Sequence, residues 1–452
     1  MSLKSSFKSA ATSWLFVAIT AIIFMGAYVF MIVLSRTPGF NLLFTEQDFF
    51  RTALVTHVVL SIVIWFIAFI VFLMYTFTQE DKSGMVDQIM ALGGLLGVLF
   101  IVATPFTGPA SPETNNYVPT LNRPLYLMGL GLFFGSASLG FILRLPALVK
   151  SVVKVKSTPV IIMGALTLAG ASVVIGVMLM VVAKFMLAGV AEMDQYPRLY
   201  YELLFWGGGH VLQFANTMGM VAGWSYITYR LTGKPPVNDK VAYIVLSVVA
   251  VFVFISPFQF FFLSIDSVEF RRFFTLLKNW GVSLGPIAAG IGILMLRARI
   301  KEDNSFIRRG LFLSMTLFAM GGLIALTISG SDTRVPAHYH GTIGGVTLCY
   351  MTMGLIAMVD NGWLDHRSKW LKAQVTLYGA GQATLVTGLF AGGLLGGLAR
   401  KIYGQAQTLD SVEKIFSMAV MGAGGLLAIT SGAIFAILML KGLIKGWKTT
   451  EA

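Results

Sequence analysis

Long apolar runs recur along the whole chain, at 11–35, 52–77, 87–106, 125–148, 159–190, 199–230, 241–264, 274–297, 308–330, 338–360, 371–397 and 415–441. Each reaches the roughly 20 residues with which a helix crosses a hydrocarbon core roughly 30 Å thick. Lipid cannot satisfy a backbone N–H or C=O, so a spanning segment must be a helix or a strand of a closed barrel. The short alternating segments of a membrane barrel are absent. The expected fold is all-α: a polytopic membrane protein with about 12 transmembrane helices, forming a single membrane domain over 1–452. The first run is too long for a cleavable signal and no small-residue cleavage site follows it, so it counts as a span.

Composition agrees, at 56% hydrophobic and 12% charged residues with 48 glycines. The net charge of +13 would suit nucleic acid if it were clustered, but Lys and Arg are scattered through short loops. A positive-inside bias accounts for them, with the lipid bilayer and not nucleic acid as partner. One set of alternate loops plus both termini holds 21 Lys and Arg against 11 on the other side. Both termini are therefore expected in the cytoplasm, in a bacterial or archaeal inner membrane. The loop "RARIKEDNSFIRRG" (297–310) reads as a cytoplasmic face anchored at headgroups. The single cysteine, Cys349, supplies no disulfide, no Cys-x-x-Cys metal pair and no Cys-x-x-Cys-His haem attachment.

Only five histidines are present: His57, His210, His338, His340 and His366. With the amino terminus inside, the second, sixth and tenth spans begin on the outer side, and four of the histidines fall in their outer halves. His366, in "NGWLDHRSKW", reads as a solvated loop residue. Polar side chains in a bilayer are costly and face a partner or a cavity. In "DTRVPAHYHGTIGGVTLCYM" (332–351) His338 and His340 lie two apart. On a helix such positions diverge by about 200°, so the pair cannot ligate one metal but can ligate two. Imidazole is a standard ligand of haem iron, and the apolar surroundings suit a macrocycle. A porphyrin on each flank needs a further helix beyond it, for which His57 and His210 are candidates. Gly341, Gly344 and Gly345 leave room for a ring or for a neighbouring helix.

These residues resemble subunit I of the haem-copper oxidase superfamily, the cytochrome c oxidase and nitric oxide reductase group. "DTRVPAHYHG" resembles the family's Asp-Thr…Val-Ala-His-Phe-His segment, one residue shorter. "RTALVTHVVL" (51–60) resembles the haem segment of its second helix, with Arg51 six residues ahead of His57 as in nitric oxide reductase relatives. "FWGGGHVLQF" (205–214) is similar to the sixth-helix segment of the C-type oxidases, where Trp-x-x-Gly-His carries a copper ligand. The resemblance implies that His57 and His340 are axial ligands of a low-spin haem and that His338 is the proximal ligand of a high-spin haem. It puts His210 on the distal side, where relatives hold copper B or a non-haem iron. Arg51, Asp332 and Arg334 at the outer rim would pair with haem propionates or order water, or serve simply as interfacial anchors.

The seventh span departs from the family. It reads "VFVFISPFQFFFLSIDS" and lacks the histidine pair that completes copper B. Gln213 and Gln259 are the remaining donors near His210, and both are weak ligands. Phe214 stands where many oxidases place a tyrosine cross-linked to the copper ligand, and no carboxylate falls deep within a span.

Three functions follow as expectations. The leading one is a respiratory, cytochrome oxidase-like electron-transfer subunit with two haems of unknown type, delivering electrons to dioxygen or nitric oxide. His210 and Gln213 would be its catalytic side chains and a cytochrome c-containing or cupredoxin-like subunit its donor. The second keeps the haems without turnover, as a conduit or gas-binding subunit. The third is a secondary transporter, to which glycine-interrupted segments such as "AGGLLGGLAR" (391–400) and "MGAGGLLAITSGA" (421–433) would point.

Overall fold

The computed structural model describes residues 2–34, 49–78, 84–153, 158–190, 193–300, 305–400 and 409–451. Its helices are α1 (Ala10–Leu34), α2 (Phe49–Val59), α3 (Trp65–Thr78), α4 (Met85–Ala103), α5 (Pro124–Val153), α6 (Val160–Leu187), α7 (Pro197–Thr232), α8 (Asp239–Ile255), α9 (Val268–Gly281), α10 (Leu284–Leu296), α11 (Ser305–Ala325), α12 (Arg334–Asp360), α13 (Lys369–Leu394) and α14 (Val412–Glu451). Ten stretches among the described residues are long and apolar enough to cross a membrane. The 36-residue α7 and the 26-residue α13 supply the other two spans expected from the sequence. The chain is thus an all-α polytopic membrane protein.

Three local departures stand out, two of them caused by proline. The span expected as one helix over 274–297 is two, an amphipathic α9 and an apolar α10. Pro286 has no N–H and its ring clashes with the preceding turn, so it is tolerated only in the first turn of a helix that restarts after Ser283. Pro257 likewise tightens the end of α8 into a 3₁₀ turn, Ser256–Phe261. The second span is continuous but holds a π-helical turn, Leu60–Ile64, between α2 and α3, just beyond His57.

By internal packing the chain divides into a larger unit, Ser5–Tyr229 with Gly233–Arg297, and a smaller one of Met1–Lys4, Arg230–Thr232 and Ala298–Ala452. In the larger unit α1 packs on α2, α3 and α4, α5 lies between α4 and α6, and α6 meets α8. Its fully buried core includes Trp14, Trp65, Phe66, Phe69, Phe72 and Phe133.

In the smaller unit α11, α12 and α13 pack on one another and α14 packs along α13. A Cβ added to Gly341 would lie 2.7 Å from the Gly321 Cα, and one on Gly345 would lie 2.9 Å from the Phe318 Cβ. Gly341 and Gly345 therefore bring α12 against α11, and the space beside them belongs to a helix and not to a ring. Gly344 faces the Gln382 side chain of α13. The glycines that suggested broken transporter helices do not break any: α14 runs unbroken through 421–433, and 391–400 lies at the end of α13.

Candidate functional site

Three of the four intramembrane histidines share one local device. His57 Nδ1 lies 3.1 Å from the Met25 carbonyl of α1, His338 Nδ1 lies 2.8 Å from the Gly321 carbonyl of α11, and His210 Nδ1 lies 2.7 Å from the Trp206 carbonyl one turn back on α7. A carbonyl oxygen can only accept, so each Nδ1 carries the proton and each Nε2 carries the lone pair. That is the tautomer in which an imidazole ligates iron through Nε2 with its ring orientation fixed by the other nitrogen. The Gly321 carbonyl reaches His338 because Gly321 has no side chain: an added Cβ would press on the His338 carbonyl at 2.6 Å.

His57, His338 and His340 are half-buried, whereas His210 is 1% exposed. His340 sits beside Tyr339, their ring centroids 5.1 Å apart. Both His338 and His340 lie within α12, so the divergence expected of positions two apart on a helix holds there. His366 is exposed, 3.5 Å from the Asp365 carboxylate.

At the start of α12, Arg334 and Asp332 pair with each other. The guanidinium donates to the Asp332 carboxylate at 2.6 Å through Nη2, and to Ser329 Oγ and the Thr327 carbonyl. Asp332 Oδ1 also accepts the Arg334 backbone N–H at 2.8 Å, just ahead of α12, where a negative charge is favoured. The guanidinium hydrogen bond holds the Asp332 carboxyl below the usual carboxylate range. Arg51 is exposed at the start of α2.

His210 is closed in. The three glycines before it each admit a different neighbour: Gly207 faces the Phe274 ring of α9, Gly208 meets Gly176 of α6, and Gly209 meets the Tyr117 side chain. Tyr117 lies in the loop between α4 and α5, between two short strands, β1 (Pro112–Glu113) and β2 (Thr120–Leu121), which pair antiparallel. Its hydroxyl donates to His210 Nε2 at 2.8 Å. Burial pushes that hydroxyl well above the usual phenol range, which keeps it a donor. Trp206 and Phe274 cover the imidazole, with ring centroids 4.9 and 6.1 Å away.

Gln213 is half-buried on the next turn of α7, and Gln259 is half-buried in the 3₁₀ turn after α8. Among the described residues no three His, Cys, Asp or Glu side chains converge as a metal site would require. The donors present therefore fit haem iron at His57 and His338, and they do not fit copper or a non-haem iron at His210.

Two features escaped the sequence reading. Tyr117 is one; the triple glycine ahead of His210 was the available sign that another group approaches closely. The other is Asp87, which is 4% exposed in the first turn of α4 and accepts from the Arg144 guanidinium and from Tyr75 Oη at 2.9 Å. It is a buried carboxylate, neutralised where it stands.

The comparisons with known proteins agree with this architecture. The family model "Cytochrome C and Quinol oxidase polypeptide I" matches residues 9–427. An uncharacterized protein of Rickettsia prowazekii (strain Madrid E) is 27% identical, covering 98% of each chain. One from Aquifex aeolicus (strain VF5) is 27% identical over 79% of this chain and 87% of its own length. The cryo-EM structure of a heme-copper terminal oxidase dimer superposes with a TM-score of 0.68 at 15% identity, covering 98% of this chain and 84% of that one, a likeness of fold. With a family match spanning nearly the whole sequence, the chain belongs to the cytochrome c and quinol oxidase polypeptide I family.

Proposed function

We propose that this oxidase-family subunit carries a low-spin and a high-spin haem and serves electron transfer to a diatomic molecule, dioxygen or nitric oxide. In this reading His57 and His340 are iron ligands of the low-spin haem and His338 is the proximal ligand of the high-spin haem. The observation that supports it is the shared tautomer: His57 and His338 each donate from Nδ1 to a backbone carbonyl, at 3.1 and 2.8 Å, leaving Nε2 as the basic nitrogen of a half-buried ring. Bound there, haem supplies one-electron carriage and an iron position that takes a diatomic ligand. The chain's own part is to hold two imidazoles in one tautomer and orientation and to surround them with apolar side chains. Arg51, Asp332 and Arg334 are the candidates for haem propionates or ordered water at the rim, with Arg334 donating to Asp332.

The test is optical. Purified protein should show Soret and α bands in a reduced-minus-oxidised spectrum, and carbon monoxide should perturb only part of them. A second reading, a dihaem conduit or gas-binding subunit without turnover, is favoured by one observation: His210 already gives both ring nitrogens to protein partners. Oxygen and nitric oxide consumption by the reduced protein separates the two.

The electron donor is proposed to be a cytochrome c-containing or cupredoxin-like subunit. The excess of Lys and Arg, 21 against 11, supports both termini in the cytoplasm of a bacterial or archaeal inner membrane. Reporter fusions at the two ends test that orientation.

A further inference from the structure

We infer that His210 is not a metal ligand in this chain: the Tyr117 hydroxyl takes its ligating nitrogen, and the pair is the clasp that fastens the 112–122 loop to α7. Three observations within the larger unit converge on it. First, Nδ1 is spent on the Trp206 carbonyl at 2.7 Å, so Nε2 is the only nitrogen that could ligate, and it accepts from Tyr117 at 2.8 Å. Second, the imidazole is 1% exposed, unlike the half-buried His57, His338 and His340, so it lines no space that a further ligand could enter. Third, the loop is shaped for this contact.

Asn115 Oδ1 accepts the backbone N–H groups of Tyr117 and Val118 at 3.0 and 2.7 Å, turning the chain so that Tyr117 points inward. Glu202 of α7 accepts from Asn116 Nδ2 at 2.6 Å, and Tyr201 Oη donates to Asn122 Oδ1 at 2.9 Å. Gly209 completes the fit, because a Cβ there would collide with the Tyr117 side chain. A hydroxyl, a glycine and two polar contacts thus secure one loop to three turns of one helix. Of the α7 side chains in these contacts, His210 is the most buried, at 1% exposed.

The inference stands apart from the haem reading, because its readouts are non-haem metal per mole of protein and exchange in one loop. Elemental analysis of the purified full-length protein, beside a haem assay, should find no stoichiometric copper and no iron beyond haem. Hydrogen exchange by mass spectrometry should show residues 112–122 opening roughly three- to tenfold faster in Tyr117→Phe, the effect of one lost buried hydrogen bond. His210→Ala should accelerate the same segment, and the double variant should go no further than the larger single effect. Tyr117→Phe removes one hydroxyl and keeps the ring, so it carries the test if His210→Ala does not fold. Copper or non-haem iron at one per chain that is lost in His210→Ala and kept in Tyr117→Phe would overturn the inference. So would loop exchange that Tyr117→Phe leaves unchanged.

Discussion

The imidazole Nδ1 of His338 donates to the carbonyl of Gly321 at 2.8 Å, and the absence of a side chain at Gly321 is what allows α11 to come close enough to receive it. Orientation of a candidate iron ligand thus depends on the contact between α11 and α12. An added Cβ at Gly321 would sit 2.6 Å from the His338 carbonyl, and backbone cannot yield as a flexible side chain can.

Gly321→Ala should therefore destabilise the protein by about 1–3 kcal/mol, the usual result of overpacking, and weaken any spectral feature that depends on His338. Gly344→Ala is the control. Its Cβ would lie 3.5 Å from Gln382, an ordinary contact, and should change stability by less than about 0.5 kcal/mol. Thermal melts in detergent followed by tryptophan fluorescence distinguish the two.

The buried pair of Asp87 and Arg144, with side chains 6% and 7% exposed, makes a second prediction. Removing one partner leaves an uncompensated buried charge, so Arg144→Met should cost about 3–5 kcal/mol. Asp87→Asn combined with Arg144→Met should cost clearly less than the sum of the single changes. Additive losses in the same melting assay would show that the pair is not coupled.

Acid sensitivity follows from Asp332. Its carboxyl is held below the ordinary range, chiefly by the hydrogen bond from Arg334. A depressed carboxylate contributes stability that is complete above the unfolded-state pKa, about 3.9, and that is lost as pH falls through the lower folded-state value. Melting temperature should thus fall as pH drops below about 4, and Asp332→Asn should lower it near neutrality while flattening that acid limb. An unchanged acid limb in Asp332→Asn would assign the sensitivity to other carboxylates.

Spans were legible in the sequence because about 20 apolar residues admit almost no fold but a crossing helix. The His338–His340 pair was legible for a similar reason: helical geometry alone separates the two rings. The split of α9 from α10 was missed because a hydropathy run averages over Gly281, Ser283 and Pro286, which end one helix and start another. Tyr117 was missed because a loop side chain acquires its meaning from the helix that the loop lies on, and Asp87 because its partner stands 57 positions along the chain. Mutual pairing of Asp332 and Arg334 was open to reading from their spacing, yet the same spacing also suits two anchors. The clamp on Asp360, which accepts from Arg230 at 2.7 Å and from the Leu3 backbone at 2.8 Å, joins residues too distant for any local pattern to link.

The most direct measurement is the carbon monoxide difference spectrum of the reduced, purified protein and of His57→Ala and His338→Ala. The account predicts a carbon monoxide-sensitive Soret change in the parent that His338→Ala abolishes while low-spin bands persist. His57→Ala should do the reverse. A parent protein without a Soret band, or a carbon monoxide signal that survives in His338→Ala, would contradict it.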